Sequence, residues 1–184
     1  MNEEFLKKNI VLIGMSGAGK STVGKYIGQK LNMEFIDTDD MIIESTGKTI
    51  DRIFEEHGEE FFRFLESDLI KRIYLLERKV IATGGGIILN SNNIQLLKEK
   101  GVLFFLSAKV DTLLKNLLSG LCTDDRRPLL KNAQNLHETI RNLYISRKNK
   151  YLSSADYIID VDEKPFNLVG DEIISIFKSL SSCS

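Results

Sequence analysis

The sequence lacks an excess of either charge, a cysteine framework and any long apolar run. Its 25 basic residues face 26 acidic ones, a formal charge of -1 over 184 residues. No general nucleic-acid or membrane surface is therefore expected, and positive charge must act locally. Cys122 and Cys183 stand far apart, and neither has a cysteine or histidine at metal-ligand spacing; free thiols in a reducing compartment are expected. His57 and His137 are equally isolated and read as structural or exposed. No segment supplies the ~18 apolar residues of a membrane span. Met1 to Lys8 shows neither the apolar centre nor the small-residue cleavage site of a secretory leader. The expectation is a cytoplasmic, monomeric chain with no nucleic-acid or membrane partner. With 42% hydrophobic and 28% charged residues, and no repeat, low-complexity tract or linker, residues 1–184 suit one α/β domain with a sheet covered on both faces.

The organising stretch is Gly14-Met15-Ser16-Gly17-Ala18-Gly19-Lys20-Ser21, directly after the apolar run Asn9 to Ile13. It fits G-x-x-x-x-G-K-[ST] in strand–loop–helix order. The glycines let successive backbone N–H groups turn onto a nucleotide's phosphates, Lys20 adds a point charge, and Ser21 offers a hydroxyl to Mg²⁺. The following helix, with Val23, Ile27 and Leu31 on one stripe, adds its N-terminal dipole at the same place.

Further along, the run Met33 to Ile36 reads as a short strand and delivers Asp37-Thr38-Asp39-Asp40 at its end. In open α/β sheets ligands bind beyond the carboxyl ends of the strands, so Asp37 and Asp39 are candidates for Mg²⁺ and an acceptor hydroxyl. Asp40 is read as the cap of a helix beginning near Met41. A helix from Gly58 to Leu76 carries Phe62, Leu65, Leu69, Ile73 and Leu76 on one stripe. Arg63 and Glu66 share a face of it and can pair, although a solvated surface pair has the same spacing. The buried strand Lys79 to Ala82 then runs into Thr83-Gly84-Gly85-Gly86, whose glycines leave room for a ligand against the backbone.

The fourth strand, Val102 to Leu106, is unbroken apolar. The next helical stripe is Val110, Leu113, Leu114, Leu117 and Leu118, and it gives way to a polar stretch holding Arg126-Arg127-Pro128. Such a stretch suits either a solvated basic loop or a lid of about 119–134 whose arginine meets a transferring phosphoryl group. The spacing of Leu136, Ile140, Leu143 and Tyr144 places Arg147 on an inward face. An inward arginine pairs either with a buried carboxylate of the protein or with one from a ligand. Tyr157 to Asp160 is the fifth strand, and Val169, Ile173, Ile176, Phe177 and Leu180 mark the closing helix. Strands alternating with helices predict a parallel sheet with right-handed crossovers.

From about Asn9 to Leu180 the chain resembles the shikimate kinase family. The resemblance rests on GMSGAGKS at 14–21, DTD at 37–39, GEEFFRFLE at 58–66, TGGG at 83–86 and RRPLL at 126–130. It implies a three-layer α/β/α fold around a five-stranded parallel sheet, a P-loop NTPase of the nucleoside monophosphate kinase type, acting on ATP and shikimate with Mg²⁺. On that likeness Gly17, Ala18, Gly19, Lys20, Ser21 and Thr22 hold ATP. Ser21 ligates the metal directly and Asp37 supports it through water. Asp39 binds the acceptor hydroxyls and helps accept the proton. Arg63 and Arg147 grip the shikimate carboxylate, Glu66 orients Arg63, and Gly84, Gly85 and Gly86 lie against the ring. Lys20, Asp39 and the lid residue Arg127 form the catalytic set.

Two departures stand out. The family's R-x-P-x-Y appears as Arg147-Lys148-Asn149-Lys150-Tyr151, without the proline, and Gly120 occupies the place of an arginine near the adenine. Lys164 is then a candidate for the adenine side. A related kinase acting on gluconate would share the first loop but need not pair arginines beside three glycines. A GTP switch is disfavoured because neither N-K-x-D nor D-x-x-G occurs. A non-catalytic nucleotide-binding module would be favoured if Lys20 or Asp39 were missing, and both are present.

Overall fold

A computed structural model describes residues 8–120 and 135–182. The expectations for Arg127, the lid and Cys122 and Cys183 lie outside these residues. Five strands, β1 (Asn9–Ile13), β2 (Glu34–Asp37), β3 (Lys79–Ala82), β4 (Gly101–Ser107) and β5 (Tyr157–Asp160), form one sheet in the order β2-β3-β1-β4-β5. Every neighbouring pair is parallel, in registers such as Leu12 with Ala82 and Leu12 with Phe104. All five residues of β1 and the first six of β4 are buried. Continuous apolar runs are what a strand covered on both faces requires, because both sets of alternating side chains must leave water.

The helices are α1 (Lys20–Leu31), α2 (Thr38–Thr46), α3 (Ile50–Ile73), α4 (Ser91–Lys100), α5 (Val110–Gly120), α6 (Leu136–Ser154) and α7 (Phe166–Ser182), with a 3-10 turn at Ile87–Leu89. Helix α1 packs on α7, α5 on α6, and α3 on α4. Among the described residues, no helix is long and apolar enough to cross a membrane.

Four expectations change in detail. Helix α2 begins at Thr38, and its cap is Asp37, whose carboxylate accepts from the Asp39 backbone N–H at 3.0 Å; Asp40 is not the cap, because the helix starts three residues earlier than Met41. Helix α3 begins at Ile50, where Thr49 accepts from Arg52 N–H, and it is broken at Gly58 (φ 79°, ψ 174°). That conformation is open almost only to glycine, so the glycine taken as a helix start is an interior break. Leu76, Leu118 and Leu180 are exposed, since Leu76 lies past the end of α3 and the other two fall at the edge of their stripes. Leu31 is only half-buried, whereas Val23 and Ile27 are buried together with Gly24 and Gly28. A side chain on Gly24 would overlap the Phe35 ring, so α1 lies close on β2.

The chain leaves β1 toward β2 on one side and returns through β3 to reach β4 on the other. The order of strands therefore reverses between β3 and β1, where ligands bind in open parallel sheets. The loops after β1 and β3 meet there: a Cβ built on Gly85 would lie 3.4 Å from the Ser16 backbone nitrogen.

Candidate active site

The loop after β1 is held in shape by its own backbone. Gly17 and Gly19 have φ of 87° and 83°, which favours glycine, and a Cβ on Gly17 would also strike the Leu113 carbonyl oxygen at 2.7 Å. Lys20 Nζ donates to the carbonyl oxygens of Gly14 at 2.8 Å and Met15 at 2.9 Å. Ser21 Oγ donates to Asp37 Oδ2 at 2.6 Å. Asp37 thus plays two roles, one oxygen capping α2 and the other holding the serine at the start of α1.

These groups line an open cavity of about 550 Å³ that also takes in Thr22, Asp39, Gly85, Asn116 and, at its outer end, Val161, Lys164, Phe166 and Val169. Asn116 Nδ2 donates to the Gly17 carbonyl at 2.9 Å, tying α5 to the loop. Lys164 pairs with Glu172 at 3.0 Å, both side chains being more than a third exposed.

The loop after β3 forms the other half. Thr83 N–H donates to the Leu12 carbonyl at 3.1 Å, and Gly84 N–H donates to Thr38 Oγ1 at 3.0 Å. A Cβ on Gly84 would lie 2.8 Å from Asp39 Oδ1 and 2.9 Å from Glu66 Oε1, so both carboxylates converge on that residue. The Arg63 guanidinium lies against Gly86. Arg63 Nη1 donates to Glu66 Oε2 at 2.8 Å and Nη2 to Glu59 Oε1 at 3.0 Å. Glu66 is only 1% exposed, whereas Glu59 is 47% exposed. The Arg63–Glu66 pair is therefore not the solvated surface pair that its spacing equally allowed.

Helix α6 brings Arg147 to the same turn, where its Nη1 donates to the Gly85 carbonyl at 3.3 Å. Tyr151, one turn further on and fully buried, donates its hydroxyl to the same oxygen at 2.5 Å. Its ring stacks on Phe105 at 4.8 Å and 4°.

Burial pushes the Glu66 carboxyl above its ordinary value, against the pull of Arg63 and Arg147. Burial works against the charge on Arg63, but Glu66 and Glu59 outweigh it and hold the guanidinium more firmly protonated. Two guanidinium groups thus meet one buried carboxylate, while Glu59 is screened by solvent. Arg63 and Arg147 thus bring guanidinium donors to the turn beside Asp39. Such a site can orient a small acid's hydroxyl toward a phosphate held by the first loop.

A family profile for shikimate kinase matches residues 16–178. The chain belongs to the shikimate kinase family. It is therefore a kinase, and ATP binding follows from its P-loop. The shikimate kinase of Caldicellulosiruptor bescii is 46% identical over 92% of this chain and 95% of its own length. That of Caldanaerobacter subterraneus is 40% identical over 94% and 98%. Among solved structures, the shikimate kinase of Acinetobacter baumannii in complex with shikimate superposes with a TM-score of 0.87 at 34% identity, covering 94% of this chain and 93% of its own. The five parallel strands flanked by helices are the nucleoside monophosphate kinase-like P-loop fold of these neighbours. A gluconokinase from Sinorhizobium meliloti, with a TM-score of 0.56 at 16% identity, shares the fold alone.

Three residues of this site escape sequence reasoning. Thr38 is buried between two aspartates that draw attention away from it, and Asn116 sits on a helix read for its leucines. Tyr151 appears in the sequence only as the last letter of a family pattern. Thr38 and Asn116 lie off any apolar stripe, and Tyr151, one turn beyond Arg147 on the inward face of α6, reads as ordinary core.

Proposed function

We propose that this chain transfers the γ-phosphoryl group of ATP to the 3-hydroxyl of shikimate, giving shikimate 3-phosphate for aromatic amino-acid synthesis through chorismate. The observation that supports this acceptor is the approach of Arg63 and Arg147 to one glycine turn, beside Asp39 and across from the phosphate loop. Planar guanidinium groups suit a carboxylate because each offers two parallel N–H donors.

Hard oxygen donors suit Mg²⁺, and the Ser21–Asp37 pair fits that requirement: the serine proton points at Asp37, which leaves the hydroxyl lone pairs for a cation. Nucleotide oxygens and water would complete the shell. Ser21 would ligate Mg²⁺ directly and Asp37 through water. When bound, the ion would neutralise charge on the β- and γ-phosphates.

Backbone N–H groups of Gly17 to Thr22 hold the phosphates, and Lys20 leaves the loop carbonyls to meet them. The nucleoside extends toward Val161, Lys164 and Phe166. Arg63 and Arg147 hold the acceptor by its carboxylate, Gly84 to Gly86 pack against its ring, and Asp39 orients the 3-hydroxyl. A bond forms from that oxygen to Pγ as the bond from Pγ to the β,γ-bridging oxygen breaks. ADP leaves, and the hydroxyl proton passes to Asp39. Arg127, outside the described residues, is assigned to the transferring group on the family pattern. Positioning and electrostatics carry most of the rate in such transfers.

The test is to incubate the purified chain with ATP, Mg²⁺ and shikimate and identify the product by phosphorus and proton NMR. Phosphate on the 3-hydroxyl is the expected result. Recovery of unchanged shikimate beside an active gluconate reaction would overturn the reading.

A further inference from the structure

The Gly85 carbonyl accepts from two residues one helical turn apart on α6, and the two bonds are unequal. Tyr151 Oη lies at 2.5 Å, a strong contact for a hydroxyl donor, whereas Arg147 Nη1 lies at 3.3 Å, near the outer limit. The tyrosine ring is fixed by its stack on Phe105 in β4 and has no exposed surface. Gly85 itself lines the phosphate cavity and approaches Ser16 of the first loop.

We propose that Tyr151 is a positioning residue for the acceptor's carboxylate, holding the Gly85 carbonyl so that Arg147 is steered by that oxygen without being captured by it. The carbonyl oxygen has two acceptor sites; the hydroxyl holds one closely at 2.5 Å and the guanidinium reaches the other only at 3.3 Å, with its other N–H groups left for an anion. Without the hydroxyl, the oxygen turns to its nearest remaining donor, Arg147, and the glycine turn loses its bond to the buried tyrosine. Burial also raises the Tyr151 pKa, so the proton needed for the bond stays in place across the working pH range. Glu66, Arg63 and Arg147 all act electrostatically on Tyr151. The hydroxyl thus belongs to the same polar cluster as the arginines, although α6 contributes it from a core position.

This inference rests on the shikimate reading, and its test separates the two. Tyr151→Phe keeps the ring and its stack on Phe105 and removes only the hydroxyl. The shikimate KM should rise about tenfold, the scale of one lost hydrogen bond in a buried polar cluster, with the ATP KM within about twofold of the parent. In an Arg147→Lys background the same change should add less than about threefold, because both act through one contact. Phe105→Leu, which loosens the stack but leaves the hydroxyl, should raise the shikimate KM by less than Tyr151→Phe does, with the ATP KM again within about twofold of the parent. If the parent fails to phosphorylate shikimate, the functional reading itself fails. If the parent is active, four results overturn the inference alone: an unchanged shikimate KM in Y151F, equal losses for both substrates, full additivity with Arg147→Lys, or a Y151F protein that does not fold.

Discussion

The guanidinium of Arg63 occupies the space in which a side chain on Gly86 would begin: a Cβ built there falls within overlap distance of Nη1, Nη2 and Cζ. Gly86 has φ of -101° and ψ of 0°, a backbone that alanine adopts. The glycine is therefore required by what lies against it. Because the overlapped atoms are the far end of a flexible side chain, Gly86→Ala should cost little stability yet displace the arginine. The expected outcome is a melting temperature within a few degrees of the parent, with a shikimate KM raised by roughly tenfold or more, the effect of a misplaced charged hydrogen bond. A normal KM would separate Arg63 from the acceptor.

Replacing either arginine by lysine keeps the charge and removes the fork of parallel donors. Arg63→Lys and Arg147→Lys should each weaken shikimate binding by about 1 to 3 kcal/mol, while ATP binding changes much less. Titration calorimetry with each ligand separately checks this. Equal losses for both ligands would mean that the substitutions disturb the sheet edge as a whole.

Glu66 gives a pH signature. Its folded pKa lies above the ordinary 4.5 because of burial, so between 4.5 and the raised value the folded chain holds a proton that the unfolded chain has lost. Stability from this group therefore falls as pH rises through that window. Glu66→Gln, which stays neutral, should gain stability relative to the parent as pH is raised from the mid-4s upward, measured by thermal melts. The same variant should bind shikimate less well, because Arg63 loses its charged partner. A relative stability that moves the other way would mean that the Arg63 charge outweighs burial.

How much of this was legible varies with the physics of each part. The phosphate loop follows from local chemistry, as do the apolar runs of β1, β3 and β4, which form strands of one parallel sheet; their order within it is set by tertiary packing. The i, i+3 spacing of Arg63 and Glu66 shows that they can pair, but only the packing of α3 decides that the carboxylate is 1% exposed. Asp37 was legible as a site residue and not as a cap, since one carboxylate filling both roles needs the serine of α1 to be nearby in space. The Tyr151 bond to Gly85 joins residues 66 apart, and a tyrosine on a buried helical stripe reads as ordinary core.

Lys20→Ala should leave a folded chain whose kcat falls by about 10² to 10³-fold, the loss associated with one donor aimed at developing charge. Its ammonium lies on the loop carbonyls at 2.8 and 2.9 Å, poised at the start of α1. Steady-state kinetics beside circular dichroism checks this, and a near-normal kcat with intact fold would remove Lys20 from the transfer step.

Ser21→Ala removes the hydroxyl that donates to Asp37 at 2.6 Å. The Mg²⁺ concentration giving half-maximal rate should rise several-fold, and a chelator should abolish turnover in both proteins. An unchanged Mg²⁺ dependence would place the ion elsewhere.

The most direct test compares kcat/KM for shikimate with kcat/KM for its analogue in which a hydroxymethyl group replaces the carboxylate. Two guanidinium groups left without their anion should cost the parent at least about a hundredfold, since a site built for a charged hydrogen bond rejects a ligand that lacks it. The Arg147→Lys variant should lose shikimate while losing little further on the analogue. Equal kcat/KM for the two acceptors in the parent would contradict the account, because the carboxylate would then play no part in holding the substrate.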